Sequence, residues 1–190
     1  MSDVALALGG ATFDGLVKIE ELAGQGMVTL RGDLTDKAIV TAVKDVFGVT
    51  LPDTRETAFD GDTGALWMSP DEALLLCPHA KAQSKANDLA AKLANAHALV
   101  VNVSDARAVF QLRGGMLREV IAKLAPVDMS PEAFQPGMVR RTRMAQVAAA
   151  FWMDDASTAR VVCFRSVAAY VFGILRNASD EASAVNHFAR

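Results

Sequence analysis

The densest concentration of charge in the sequence is Arg140-Arg141-Thr142-Arg143, with Arg160 and Arg165 in the flanking strand segments. Guanidinium groups stay charged at physiological pH and grip carboxylates or phosphates through paired hydrogen bonds. The run is therefore a candidate docking surface for an acidic partner or a polyanionic ligand. It suits equally an exposed sheet face or edge, where charge prevents aggregation. Trp67, Met68, Phe151, Trp152 and Met153 carry a similar double reading, as core residues or as interface anchors, because Trp and Met are favoured at interfaces. Arg140, Arg141, Arg143, Trp67 and Trp152 together make the candidate partner interface.

The other reactive residue types do not assemble into a motif. Cys77 and Cys163 each lie inside an apolar run and read as small buried hydrophobes. His79, His97 and His187 are far apart, and none has a second ligand at i+2 to i+4, so a local zinc motif is absent. Asp71-Glu72 and Asp154-Asp155 are paired carboxylates, but both pairs fall in turns, where acids are common for conformational reasons. No GxGxxG follows a strand and no Walker A run occurs. Ser104 and Ser166 lack the GxSxG context of an esterase nucleophile. The sequence therefore assigns no catalytic, cofactor-binding or metal-binding residue.

Bulk properties narrow the function further. A net charge of −3 supplies no overall positive field, which argues against a nucleic-acid partner. With 52% hydrophobic residues over 190 positions, the chain can close a core. No stretch approaches the roughly 20 apolar residues that span a bilayer, so no membrane association is expected. The N-terminal run MSDVALALGGATFDG has an acid where a signal peptide needs positive charge, and the expected location is the cytoplasm.

The elements that must position the arginines and tryptophans can be placed from periodicity. Residues 1–25 carry glycines without a clean period and read as an N-terminal arm. Residues 26–33 alternate as a half-buried strand, and Ile39, Ala42, Val43, Val46 and Phe47 mark a helix that Gly48 ends. Residues 52–62 read as a loop. Gly64 to Met68 and Ala73 to Cys77 then form a hairpin around Ser69-Pro70-Asp71-Glu72, followed by a helix over 80–96 whose Lys85, Asp88 and Lys92 face solvent. Two further strands, around Leu99–Val103 and Arg107–Arg113, are expected to pair with each other. A helix over 116–124, a proline-rich connection, strands over 143–153 and 159–165, and a last helix capped by Ser166 complete the chain. Strands in twos with helices between them predict an α+β fold of mainly antiparallel sheet. The expected organisation is the arm over 1–25, then one α+β domain over 26–190 built from two βαβ-type halves, 26–96 and 97–178.

With these segments placed, the runs ALWMSPDEALLL, VNVSDARAVFQLRGGMLREVIAKLAPVDMSPEAFQPGMVRRTRMAQVAAAFWM and VVCFRSVAAYVFGIL resemble the gamma subunit family of heterotetrameric sarcosine oxidase. That family is a small relative of the folate-binding aminomethyltransferase (T-protein) fold. The resemblance covers about Ala65 to Leu175, and the first 60 residues match little. It implies a structural subunit of an assembly that oxidatively demethylates sarcosine to glycine. Hydrogen peroxide is released, and the methyl carbon leaves as formaldehyde or methylene-tetrahydrofolate. It implies alpha, beta and delta subunits as partners, with FAD, FMN, NAD, tetrahydrofolate and zinc held by them and no cofactor in this chain. A stand-alone folate-binding protein of the same superfamily is the alternative.

Overall fold

Two strands with the same burial pattern organise the chain, QGMVTLR at Gln25–Arg31 and RAVFQLR at Arg107–Arg113. Each is followed by a glycine with positive φ, 157° at Gly32 and 146° at Gly114. A Cβ at Gly32 would meet Ile39 at 2.8 Å, and one at Gly114 would meet Val17 at 3.2 Å, so both positions need the residue without a side chain. In the computed structural model, which describes residues 5–188, these strands belong to different compact units. One unit is Gly24–Ser104; the other joins the described residues before Gly24 to those from Asp105 onward.

The elements in chain order are β1 (Thr12–Asp14), β2 (Lys18–Glu21), β3 (Gln25–Arg31), α1 (Lys37–Phe47), β4 (Thr57–Asp60), β5 (Thr63–Ser69), β6 (Glu72–Pro78) and α2 (His79–Lys92). They continue with β7 (Leu99–Asn102), β8 (Arg107–Arg113), α3 (Leu117–Ala122), β9 (Val139–Met144), β10 (Val147–Met153), β11 (Thr158–Phe164) and α4 (Ala168–Ala178). In the Gly24–Ser104 unit the strands lie in the order β4-β5-β6-β3-β7. All are antiparallel, as a split β-α-β-β-α-β unit with β4 added at one edge requires. The other sheet runs β1-β2-β8-β11-β10-β9, also antiparallel. There β2 takes beside β8 the place that β7 takes beside β3.

Several sequence expectations change here. Residues 12–14 and 18–21, within the segment read as an arm, supply β1 and β2, while residues 1–4 lie outside the described residues. Short strands hid the signal, yet Val17, Ile19 and Glu21 are all buried. The strands around 99–103 and 107–113 do not pair with each other. They join β3 and β11 in separate sheets, and the division falls at Ser104 and Asp105 instead of near residue 96. The segment 52–62 holds β4. The expected strand over 143–153 is split by a turn at Ala145, whose φ is 48°. Ser166 caps nothing, because the chain enters α4 through a 3-10 turn over Arg165–Val167 with no side-chain cap.

Elsewhere local signals and structure agree. Asp36 caps α1 by accepting from the Ala38 N–H, and Gly48 ends it at φ 80°. The hairpin turns at Pro70-Asp71, as the register Ser69↔Glu72 shows. The outer face of α2 is only partly solvated. Lys85 donates to the Val46 carbonyl at the end of α1, and Lys92 pairs with Asp45 at 2.9 Å. Cations at the carbonyl end of a helix are favourable on electrostatic grounds.

Candidate interaction surface

The arginine run forms β9, the edge strand of the six-stranded sheet. Its register with β10 is Phe151↔Arg140, Ala150↔Arg141 and Ala148↔Arg143. Side chains alternate across a strand, so the run cannot act as one cluster. Arg140 shares the face of Phe151, where its guanidinium lies 5.0 Å from the Phe134 ring centroid. It donates to the Val139 and Ala133 carbonyls at 3.0 and 3.2 Å. Phe134 meets Phe151 edge-on at 5.4 Å. Arg140 is thus half-buried and ties down the proline-rich connection, a task shared with Arg118, which donates to the Met129 and Phe134 carbonyls at 2.8 and 2.7 Å. Arg141 and Arg143 point to the opposite face and are exposed.

The tryptophans separate in the same way. Trp152 has 0% exposure, so it anchors this sheet and presents no surface to a partner. Its indole N–H donates to Asp154 at 3.2 Å, and the other Asp154 oxygen accepts from Arg160 Nε at 2.8 Å. Trp67 is half-buried on β5, opposite Ala73, in the other unit. Of the five candidate residues, the fold leaves Arg141 and Arg143 as the exposed, same-faced pair.

Asp71, Asp155 and the two cysteines have structural surroundings. Asp155 accepts from the Ser157 N–H at 2.7 Å, and that bond with the Ser157 hydroxyl holds its carboxyl below the usual carboxylate range. Asp71 is lowered by the Ser69 hydroxyl and pairs with Arg31 at 3.0 Å. Asp71 and Asp155 build turns, whereas Glu72, expected in the turn, is the buried first residue of β6. Cys77 and Cys163 are buried and free, and desolvation raises both thiols, Cys163 to about 12, so neither offers a thiolate nucleophile near neutral pH. Among the described residues no group of three or more His, Cys, Asp or Glu could hold a metal ion. Among the described residues no helix is long and apolar enough to cross a membrane.

Two buried carboxylates escaped the sequence reading. Glu21 accepts from the backbone N–H groups of Ala7, Leu8 and Gly10 at 2.8 to 3.1 Å, which folds residues 7–10 around it. Glu119 accepts from the Val185 and His187 N–H groups at 2.7 and 3.1 Å and pairs with Lys123 at 3.0 Å. Lys123 in turn donates to the Ser183 and Ala178 carbonyls. The i, i+4 spacing of Glu119 and Lys123 was visible in the sequence. Their backbone partners, 55 or more residues away, were not.

Comparison with known proteins places this arrangement in context. The model of the sarcosine oxidase, gamma subunit family matches residues 31–181. The gamma subunit of sarcosine oxidase from Arthrobacter sp is 28% identical over 151 residues, 78% of this chain and 73% of that protein. Among solved structures, heterotetrameric sarcosine oxidase from Corynebacterium sp. U-96 superposes with a TM-score of 0.80 at 27% identity, over 89% of this chain and 86% of the matched chain. The glycine cleavage system aminomethyltransferase T from Bartonella henselae shares the fold, with a TM-score of 0.59 at 10% identity over 82% of this chain and 44% of that one.

Proposed function

The chain belongs to the sarcosine oxidase gamma subunit family, and from that premise we propose that it is the non-catalytic gamma subunit of a heterotetrameric sarcosine oxidase. The observation that carries the proposal is the near full-length match to a chain of such a heterotetramer. In this reading the chain stabilises and orients alpha, beta and delta subunits. Those subunits hold FAD, FMN, NAD, tetrahydrofolate and zinc and carry out the oxidation of sarcosine to glycine in the cytoplasm. Asp71 and Asp155 are engaged in turns, Glu21 and Glu119 by backbone donors and both thiols in the core, which fits a structural task.

Within the assembly, Arg141 and Arg143 form a charged rim that attracts an acidic partner surface. Rim charges act through long-range attraction, so they set the association rate and its salt dependence more than the final affinity. Replacing both by alanine is expected to slow association with the co-expressed partner subunits by about threefold to tenfold at low salt. The difference should shrink at high salt, and stability should change by no more than about 0.5 kcal/mol. Arg140→Ala is the internal contrast, because it disturbs the Phe134 segment and lowers the melting temperature. Association kinetics across a salt series check this, and unchanged kinetics in the double variant would remove the pair from the interface.

A further inference from the structure

Four strands end the two sheets, and three of them carry charge: Asp14 on β1, Asp60 on β4, and the arginines on β9. The fourth, β7, reads Leu99-Val100-Val101-Asn102 and carries none. No described strand pairs with its outer side. Leu99 is 54% exposed and Val101 40%, on one face of the strand. An edge without charge, proline or bulge is a template for another chain, and natural sheets rarely leave one open.

The ladder shows which backbone groups that edge offers. The Val103 N–H donates to the Met27 carbonyl at 2.8 Å. The register Thr29↔Val101 and Arg31↔Leu99 continues from that pair. In an antiparallel ladder, hydrogen-bonded pairs recur at every second residue, so Val101 and Leu99 turn their N–H and C=O groups toward β3. The backbone groups of Val100 and Asn102 turn outward. At the start of the strand, a groove of about 500 Å³ is lined by Arg31, Asp33, Pro70, Asp71, His97 and Leu99. It has room for side chains that flank an added strand.

We propose that β7 receives an extended, uncharged segment of a partner subunit, which adds a sixth strand to this sheet and lays alternate apolar side chains against Leu99 and Val101. The proposal rests on the subunit reading above. A flat apolar contact would leave the outward groups of Val100 and Asn102 buried without partners, whereas a strand satisfies them. A second copy of this chain is a poorer occupant. Pairing β7 with itself confines the ladder to the four residues of each strand, whereas a longer partner segment can run on into the groove beside Leu99, toward the about 800 Å² per partner that stable interfaces bury.

Amide hydrogen exchange on the chain alone, and on the complex with co-expressed alpha, beta and delta subunits, tests the proposal. The Val100 and Asn102 amides are expected to exchange at least tenfold more slowly in the complex. Val101→Lys should cut the yield of complex at least tenfold without changing the melting temperature of the free chain. Unchanged exchange at both amides in a complex that forms normally would overturn the edge-strand proposal and leave the subunit reading standing. Failure of the wild-type chain to assemble would overturn both. Slowed exchange that depends on the concentration of the isolated chain would assign β7 to a second copy and overturn the partner assignment.

Discussion

Trp152→Ala should cost the chain about 3 to 5 kcal/mol, the usual range for truncating a fully buried large aromatic side chain. Trp152 is 0% exposed near the end of β10, between β9 and β11, and Phe151, Val161 and Val162 are also buried. Its removal opens a void that rigid strands cannot close, and it strips Asp154 of the indole N–H donor. Denaturant unfolding of the purified variant measures the loss, and Trp152→Phe should recover more than half of it. A cost below about 1 kcal/mol would be the value of a surface residue and would return Trp152 to the list of interface candidates.

Glu119→Ala is the second large effect, expected at about 2 to 3 kcal/mol, because it leaves two backbone N–H groups and Lys123 without their carboxylate. The Val185 N–H, then Lys123 and the His187 N–H, lower the Glu119 carboxyl below its ordinary value of 4.5. A carboxyl depressed by folding contributes stability above its unfolded pKa and loses it as pH falls through the folded one. In the wild-type chain, residues 184–187 should therefore gain amide exchange only as pH drops below 4.5, after correction for intrinsic rates. In Glu119→Ala they should exchange faster throughout, without that acid dependence. An acid dependence that survives the substitution would assign the latch to another group.

How much of this was legible beforehand depends on the range of the interactions. Helix α1 was readable in its apolar face and its stop at Gly48, which are local signals, while its cap at Asp36 was not picked out. The hairpin at Pro70-Asp71 was readable for the same reason. The arginine run was visible as a concentration of charge. Its division into a structural Arg140 and an exposed Arg141 and Arg143 follows from strand alternation once β9 is placed, and the proline-rich stretch before it had obscured that placement. Strand partnership was the least accessible property. β7 and β8 are separated by only four residues yet belong to different sheets, because β7 closes the β3 side while β8 pairs with β11, from which 44 residues separate it. Leu99 and Val101 alternate as strand residues should, but the face they share is exposed at an edge. Glu21 and Glu119 were missed because backbone donors from distant segments leave no compositional trace.

The central claim, that this chain is a structural subunit without chemistry of its own, is tested most directly by sarcosine turnover in assemblies made with and without it. Alpha, beta and delta subunits are purified after co-expression with the wild-type chain, with the Arg141→Ala/Arg143→Ala variant, or with no gamma chain. The account predicts a stable, active heterotetramer with the wild-type chain and full turnover per assembled complex with the arginine variant. Without the chain, the complex should be depleted or short-lived. Full and lasting activity without it, or turnover by this chain alone, would contradict the account.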